Sequence, residues 1–244
     1  MDLVDKKSAP RLEVLAVIPA RGGSKGIKRK NLRVLQGRPL VAHSIGSAKD
    51  SALINRIVVS TDDKEIANVA REYGAETIDR PSRISGDESS SEDALIHSLE
   101  MLRKTDDYTP DLVVFLQPTS PFRRHDDIDN AISLLIEAGA DSAFSSYIGH
   151  FEGRWRMDST ETLQPTNYDP RKRPRRQDYP PEFIENGSIY VFRPEVLYGS
   201  GSRLGGRVVT YEMPTLYSHQ VDSLMDLKII DQIMEAHRGD YEAD

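Results

Sequence analysis

Three short runs, Val14–Ile18, Arg56–Ser60 and Leu112–Leu116, are apolar through their centres and do not alternate with polar residues. A strand reads this way when both faces of its sheet are covered, so the chain is directed towards a mostly parallel sheet with helices on each side. The intervening segments supply the helices. Asp63–Tyr73 and Ser91–Arg103 are the first pair, and in the second Leu95, Leu99 and Leu102 share one helical face. Ser89 with Glu92 three residues later predicts a capping box for that helix. Ile128, Ile132 and Leu135 repeat the same spacing in a helix from near Asp126 to a stop at Gly139. Further strands are predicted at Asp141–Tyr147, Ser188–Phe192 and Val208–Tyr211. A last helix over Met225 to His237 turns Leu227, Ile230 and Met234 inward. The reading is a doubly wound α/β fold, and 244 residues fit one such domain.

One stretch breaks the rhythm. His150–Pro181 carries no period; it is rich in Pro, Arg and Asp and holds the sole tryptophan, Trp155, and the run Arg171–Arg176. A stretch this long reads as an inserted arm, set at about 144–175 within a domain of 13–240. The basic run has two readings, the border of an anion pocket or a polyanion-binding or import sequence, and a formal net charge of −7 argues against general nucleic-acid binding. The first dozen residues lack the apolar core of a signal peptide and are expected to be flexible. The run Val14–Ala20 is too short to span a bilayer, so the expectation is a cytoplasmic protein with no membrane partner. There is no cysteine, which excludes disulfides, thiolate ligands and a thiol nucleophile. No two of the six histidines have metal-pair spacing, and His43 and His97 sit among apolar helix residues as structural side chains.

The chemistry concentrates in Ile18-Pro-Ala-Arg-Gly-Gly-Ser-Lys-Gly-Ile-Lys-Arg-Lys-Asn31, directly after the first predicted strand. Its glycines, Gly22 among them, let several backbone amides approach one phosphate, and Arg21, Lys25 and Lys30 add the charge a triphosphate requires. In such sheets ligands bind at the carboxyl ends of the strands, where this loop falls. The spacing fits neither G-x-x-x-x-G-K-[ST] nor G-x-G-x-x-G, which excludes a Walker loop and a dinucleotide fingerprint.

The string IPARGGSKGIKRKN resembles the nucleotide-binding signature of the CMP-sialic acid synthetases, the acylneuraminate cytidylyltransferases. The likeness continues in order through Asp79-Arg-Pro81, the serines Ser89–Ser91, Leu116-Gln-Pro-Thr-Ser-Pro-Phe-Arg123, Arg175-Arg-Gln-Asp178, Glu185-Asn-Gly-Ser-Ile-Tyr190 and Val221-Asp-Ser-Leu-Met-Asp226. It spans nearly the whole chain.

The resemblance implies a Rossmann-like nucleotidyltransferase fold and transfer of CMP from CTP to an acidic nine-carbon 2-keto sugar, with pyrophosphate released. By the same likeness, Arg21, Ser24 and Lys30 hold the triphosphate, with Lys25 sharing that work. Asn31 reads cytosine, and an amide offers the donor and acceptor that base requires. Arg80 and Ser91 contact the nucleotide, Gln117 and Thr119 meet the sugar, and Arg176 and Tyr190 shape its pocket. Asp222 corresponds to a metal-binding aspartate for Mg²⁺ or Mn²⁺. Many relatives carry a second aspartate two positions earlier, where this chain has Gln220. Asp222 also fits the N-cap of the last helix, and Asp226 a first-turn residue. The resemblance further implies a homodimer with the arm reaching the neighbour. Two rivals remain open: a cytidylyltransferase for an eight-carbon sugar, and a non-catalytic nucleotide-binding domain. No residue is singled out as a general base.

Overall fold

The computed structural model describes residues 12–24 and 26–238. In chain order the elements are β1 (Val14–Pro19), β2 (Val34–Leu35), β3 (Arg38–Pro39), α1 (Leu40–Asp50), β4 (Arg56–Thr61), α2 (Lys64–Glu72), β5 (Glu76–Asp79), α3 (Ser91–Asp106), β6 (Leu112–Leu116) and α4 (Asp127–Glu137). Then come β7 (Ser142–Gly149), β8 (Trp155–Met157), β9 (Leu163–Pro165), β10 (Glu182–Phe192), α5 (Pro194–Ser200), β11 (Val208–Glu212) and α6 (Leu224–Ala236). Seven strands form one sheet in the order β11-β7-β10-β6-β1-β4-β5. Every neighbouring pair is parallel except those made by β10, which runs antiparallel to both β6 and β7.

Strand parity divides the core in two. Val14, Ala16 and Ile18 of β1 and Leu112, Val114 and Leu116 of β6 pack on one face, with Ile128 and Ile132 of α4 and Ile230 and Met234 of α6. Leu15, Val17, Val113 and Phe115 point to the other face, where Leu95, Leu99 and Leu102 of α3 meet them. All these strand residues are at most 2% exposed, which is why the runs read as continuously apolar. The doubly wound α/β expectation is met.

Four local readings are corrected. The box opening α3 is Ser90 with Asp93, one residue later than Ser89 with Glu92, and α3 extends to Asp106. Asp222 does not cap α6; Ser223 does, paired with Asp226. The final strand before α5 begins at Glu182, and a bulge between Glu185 and Tyr190 breaks its pattern. The irregular stretch also contains a hairpin, β8 against β9, with Phe151, Trp155, Tyr168 and Tyr179 in mutual edge or tilted contact beside it. Residues 1–11, read as flexible, lie outside the described residues.

Candidate active site

The loop after β1 is tied to three other segments. The Gly22 amide donates to Asp62 Oδ1 at 2.9 Å, just beyond β4. Arg21 donates to the Gly86 carbonyl at 2.7 Å and pairs with Asp87 at 2.8 Å. Arg29 adopts the left-handed region, φ 56°, and its guanidinium pairs with Asp63 and Glu65. That turn starts the short 3-10 helix Lys30–Leu32. Lys30 Nζ there donates to the Val221 carbonyl at 2.9 Å and lies 3.2 Å from Asp222 Oδ1. Asn31, 9% exposed, donates from Nδ2 to the Arg21 carbonyl at 2.9 Å. Gly26 is needed because the backbones touch: a Cβ there would overlap the Asp222 carbonyl oxygen.

The facing wall comes from β5 and the start of α3. Arg80 is buried and donates to the Ser60 carbonyl, and its Nε has no hydrogen-bond partner among the described residues. Burial, opposed by Asp62 and reinforced by Arg21, pulls this guanidinium below its ordinary value. Ser90 caps α3, which leaves Ser91 as its first helical residue. The floor is the carboxyl end of β6 and the turn after it, with Phe115, Gln117, Pro118 and Thr119. A residue that sequence reasoning passed over holds this turn in place. Arg123, 2% exposed, donates to the carbonyls of Gln117 and Ser188 at 2.9 Å and to Ser44 Oγ at 3.2 Å. Burial pulls it down to about 9, so it remains charged at neutral pH.

Between these walls lies a cavity of about 520 Å³. It brings together Arg21, Ser24, Lys30, Asn31, Arg80, Ser91, Gln117, Thr119 and Asp222 from the expected set. Asp87, Ser89, Ser90, Phe115, Pro19 and Pro118 line it as well. Gly22 stands beside the lining residue Gly23, but its amide is committed to Asp62. Tyr190 is not among the lining residues. Its ring stacks behind Phe115 at 5.5 Å and its hydroxyl meets Glu185 at 2.9 Å. Lys25 and the side chain of Arg176 lie outside the described residues.

Gln220 donates from Nε2 to the Asn186 carbonyl at 2.8 Å. It packs over Gly187, whose φ of +68° and lack of a Cβ make room for it. Among the described residues no group of three or more His, Asp or Glu side chains could form a closed metal cage. The Asp222 carboxylate, 72% exposed beside the cavity, suits an ion that takes its other oxygens from substrate and water. His43 is structural as read, with Nε2 at 2.9 Å from the Leu35 carbonyl.

A cationic glycine-bearing loop at the carboxyl ends of the parallel strands, facing a polar cavity, lies where open α/β sheets take their ligands. Residues 15–233 match the profile described as Cytidylyltransferase, and the chain belongs to that family. It is 37% identical over 222 residues to N-acylneuraminate cytidylyltransferase A of Danio rerio, covering 90% of this chain and 50% of that protein. It is 29% identical to the Post-translational flagellin modification protein B of Campylobacter coli, covering 91% of this chain and 95% of that one. The chain thus spans about half the length of the N-acylneuraminate cytidylyltransferases of fish that it matches. Its fold is similar to that of a CMP:2-keto-3-deoxy-manno-octonic acid synthetase solved with CTP, with a TM-score of 0.66, 20% identity, and coverage of 92% of this chain and 99% of that one. No helix among the described residues is long and apolar enough to cross a membrane.

Proposed function

We propose that the chain transfers CMP from CTP to the anomeric hydroxyl of an acidic nine-carbon 2-keto sugar, N-acetylneuraminate or a relative such as legionaminate or pseudaminate, and releases pyrophosphate. The observation that carries this reading is the cavity in which Arg21, Lys30 and Arg80 converge at the ends of β1, β5 and β6. The names of the relatives support the sugar class. They include a CMP-N,N'-diacetyllegionaminic acid synthase of Legionella pneumophila, 44% identical over 126 residues.

Phosphoryl displacements need little covalent help; positioning and neutralisation of charge carry most of the barrier reduction. Arg21 and Lys30 would face the triphosphate and the departing pyrophosphate, with Lys25 joining them. Asn31 would read cytosine, and Ser24, Ser91 and Arg80 would hold the nucleotide. Gln117 and Thr119, kept in place by Arg123, would orient the sugar, and Arg176 would grip its carboxylate by a bidentate fork. Asp222 is the residue that would hold Mg²⁺ or Mn²⁺. The ion supplies positive charge against the phosphate oxygens when bound. Release of Asp222 from Lys30 would accompany its arrival. The arm at about 144–175 would reach a second copy in a homodimer; Trp155, Met157, Leu163 and Phe183 on and beside the hairpin are about half exposed, which supports that surface. A cytoplasmic location, where CTP is made, belongs to the same reading.

The test is pyrophosphate release from CTP with a panel of acidic sugars, with and without Mg²⁺. Metal-dependent release with nine-carbon sugars is the expected result. Release only with an eight-carbon sugar would move the substrate, and no release with any sugar would leave a nucleotide-binding domain.

A further inference from the structure

Arg203 is not among the residues lining the cavity, yet it ties two of its walls together. It sits in the loop between α5 and β11, and that loop is anchored to the start of β7. Ser142 Oγ donates to the Gly205 carbonyl at 2.8 Å, and the Arg207 amide donates to Asp141 Oδ2 at 2.7 Å. From this base the guanidinium carbon lies 4.2 Å from the ring centre of Tyr190 and 5.3 Å from that of Phe115. The two rings are themselves stacked, 21° apart. The same guanidinium donates through NH1 to Glu92 in the first turn of α3, and both side chains are only 20% exposed. Phe115 lines the cavity floor, and Ser91, next to Glu92, lines its facing wall.

A cation placed over aromatic faces and bonded to a half-buried carboxylate is attracted by both, and the planar fork sets the direction of each attraction. We propose that Arg203 is a positioning residue that fixes the Phe115 floor relative to the N-terminus of α3, so that the nucleotide and second-substrate halves of the cavity keep one geometry. The proposal rests on the reading that the cavity takes both substrates. It assigns Glu92 to the nucleotide half only, because Glu92 touches Arg203 from the α3 side.

The test compares Arg203→Met, Arg203→Lys and Glu92→Gln in the full chain, with CTP binding measured by calorimetry and kcat and both KM values measured from pyrophosphate release. Arg203→Met is expected to weaken CTP binding about tenfold and to lower kcat about tenfold with a raised sugar KM, as small misplacements do. Glu92→Gln should weaken CTP binding alone, and the double variant should bind CTP no worse than Arg203→Met. Arg203 variants that melt earlier yet keep CTP binding and both KM values within twofold of the parent would overturn the proposal, as would additive losses in the double variant. Where Arg203→Met does not fold, Arg203→Lys and Glu92→Gln carry the same comparison. A parent protein that binds CTP but transfers it to no sugar defeats the functional reading alone, and the calorimetric arm still decides Arg203. A parent that binds no CTP overturns both.

Discussion

Replacing Lys30 by alanine separates what the site does for stability from what it does for turnover. Lys30 is 16% exposed, and its Nζ makes two contacts, with the Val221 carbonyl at 2.9 Å and with Asp222 at 3.2 Å. The second partner is 72% exposed, so the ion pair contributes at most about 1 kcal/mol. The first is a charge-assisted hydrogen bond to a main-chain carbonyl, about 1.5 kcal/mol. Together they predict a loss near 2 kcal/mol, or a melting temperature lower by about 4–8 °C for a domain of this size. Loss of a preorganised cation opposite developing charge costs more, about 100- to 1000-fold in kcat. The assay is pyrophosphate release at a temperature where circular dichroism shows the variant folded, with Lys30→Met as the control that keeps the aliphatic stem. Turnover undiminished in the folded variant would refute the role given to Lys30. So would an activity loss that simply follows the unfolded fraction.

Gly26→Ala should lower kcat/KM about 100-fold while leaving the helices intact, because the new Cβ must push the loop away from the Asp222 carbonyl; parental kinetics would show that this approach has no role in turnover. Gly187→Ala should cost about 1–2 kcal/mol in denaturant melts, since φ is +68° and its Cβ would sit 2.7 Å from Gln220 Nε2. In the hairpin, the Thr160 hydroxyl, with the amides of Thr162 and Thr160, holds the Asp158 carboxyl down at about 2 against an ordinary 3.8. A depressed acid stabilises fully above its unfolded value, and that contribution is lost as pH falls through its folded value. Protection of the Thr160 and Thr162 amides should therefore be flat above about pH 4 and fall towards pH 2, and Asp158→Asn should abolish that dependence. A profile unchanged by the substitution would assign the fall to another group.

The sheet was legible because its central strands are buried on both sides, and the phosphate loop because glycines and cations were crowded behind the first of them. The misplaced caps have a common cause. Ser89, Ser90 and Ser91 are consecutive, and each is followed at the capping-box distance or near it by an acid, so the local signal does not choose among them. Asp222 and Ser223 pose the same ambiguity. The choice is made by tertiary contacts, where the Asp222 carboxylate faces Lys30 and Ser223 is left to bond the Asp226 amide. The hairpin in the arm was invisible because its strands have only three residues each, too few to set a period.

Tyr190 and Arg123 expose a different limit. In β10 the bulge after Glu185 resets which side chains face which way, so spacing from the Glu185 block does not reveal that Tyr190 shares a face with Phe115. Arg123 follows buried Phe122 in the chain, and nothing local marks it as a donor to two carbonyls rather than a surface charge.

Charge bookkeeping in the cavity joins the fold to the proposed chemistry. Arg21 is paired with Asp87 and Lys30 with Asp222, so two cations expected to meet phosphate are each held by a carboxylate from another segment. The pairing limits mutual repulsion among Arg21, Lys30 and Arg80 around one 520 Å³ cavity. On the proposed reading, an entering triphosphate exchanges one anionic partner for another and leaves Asp222 facing a cation-seeking phosphate surface. One carboxylate, Asp222, would thus pair with Lys30 before the triphosphate enters and be available to hold the metal afterwards. A second carboxylate is not required for that exchange, which is consistent with Gln220 being engaged by the Asn186 carbonyl instead.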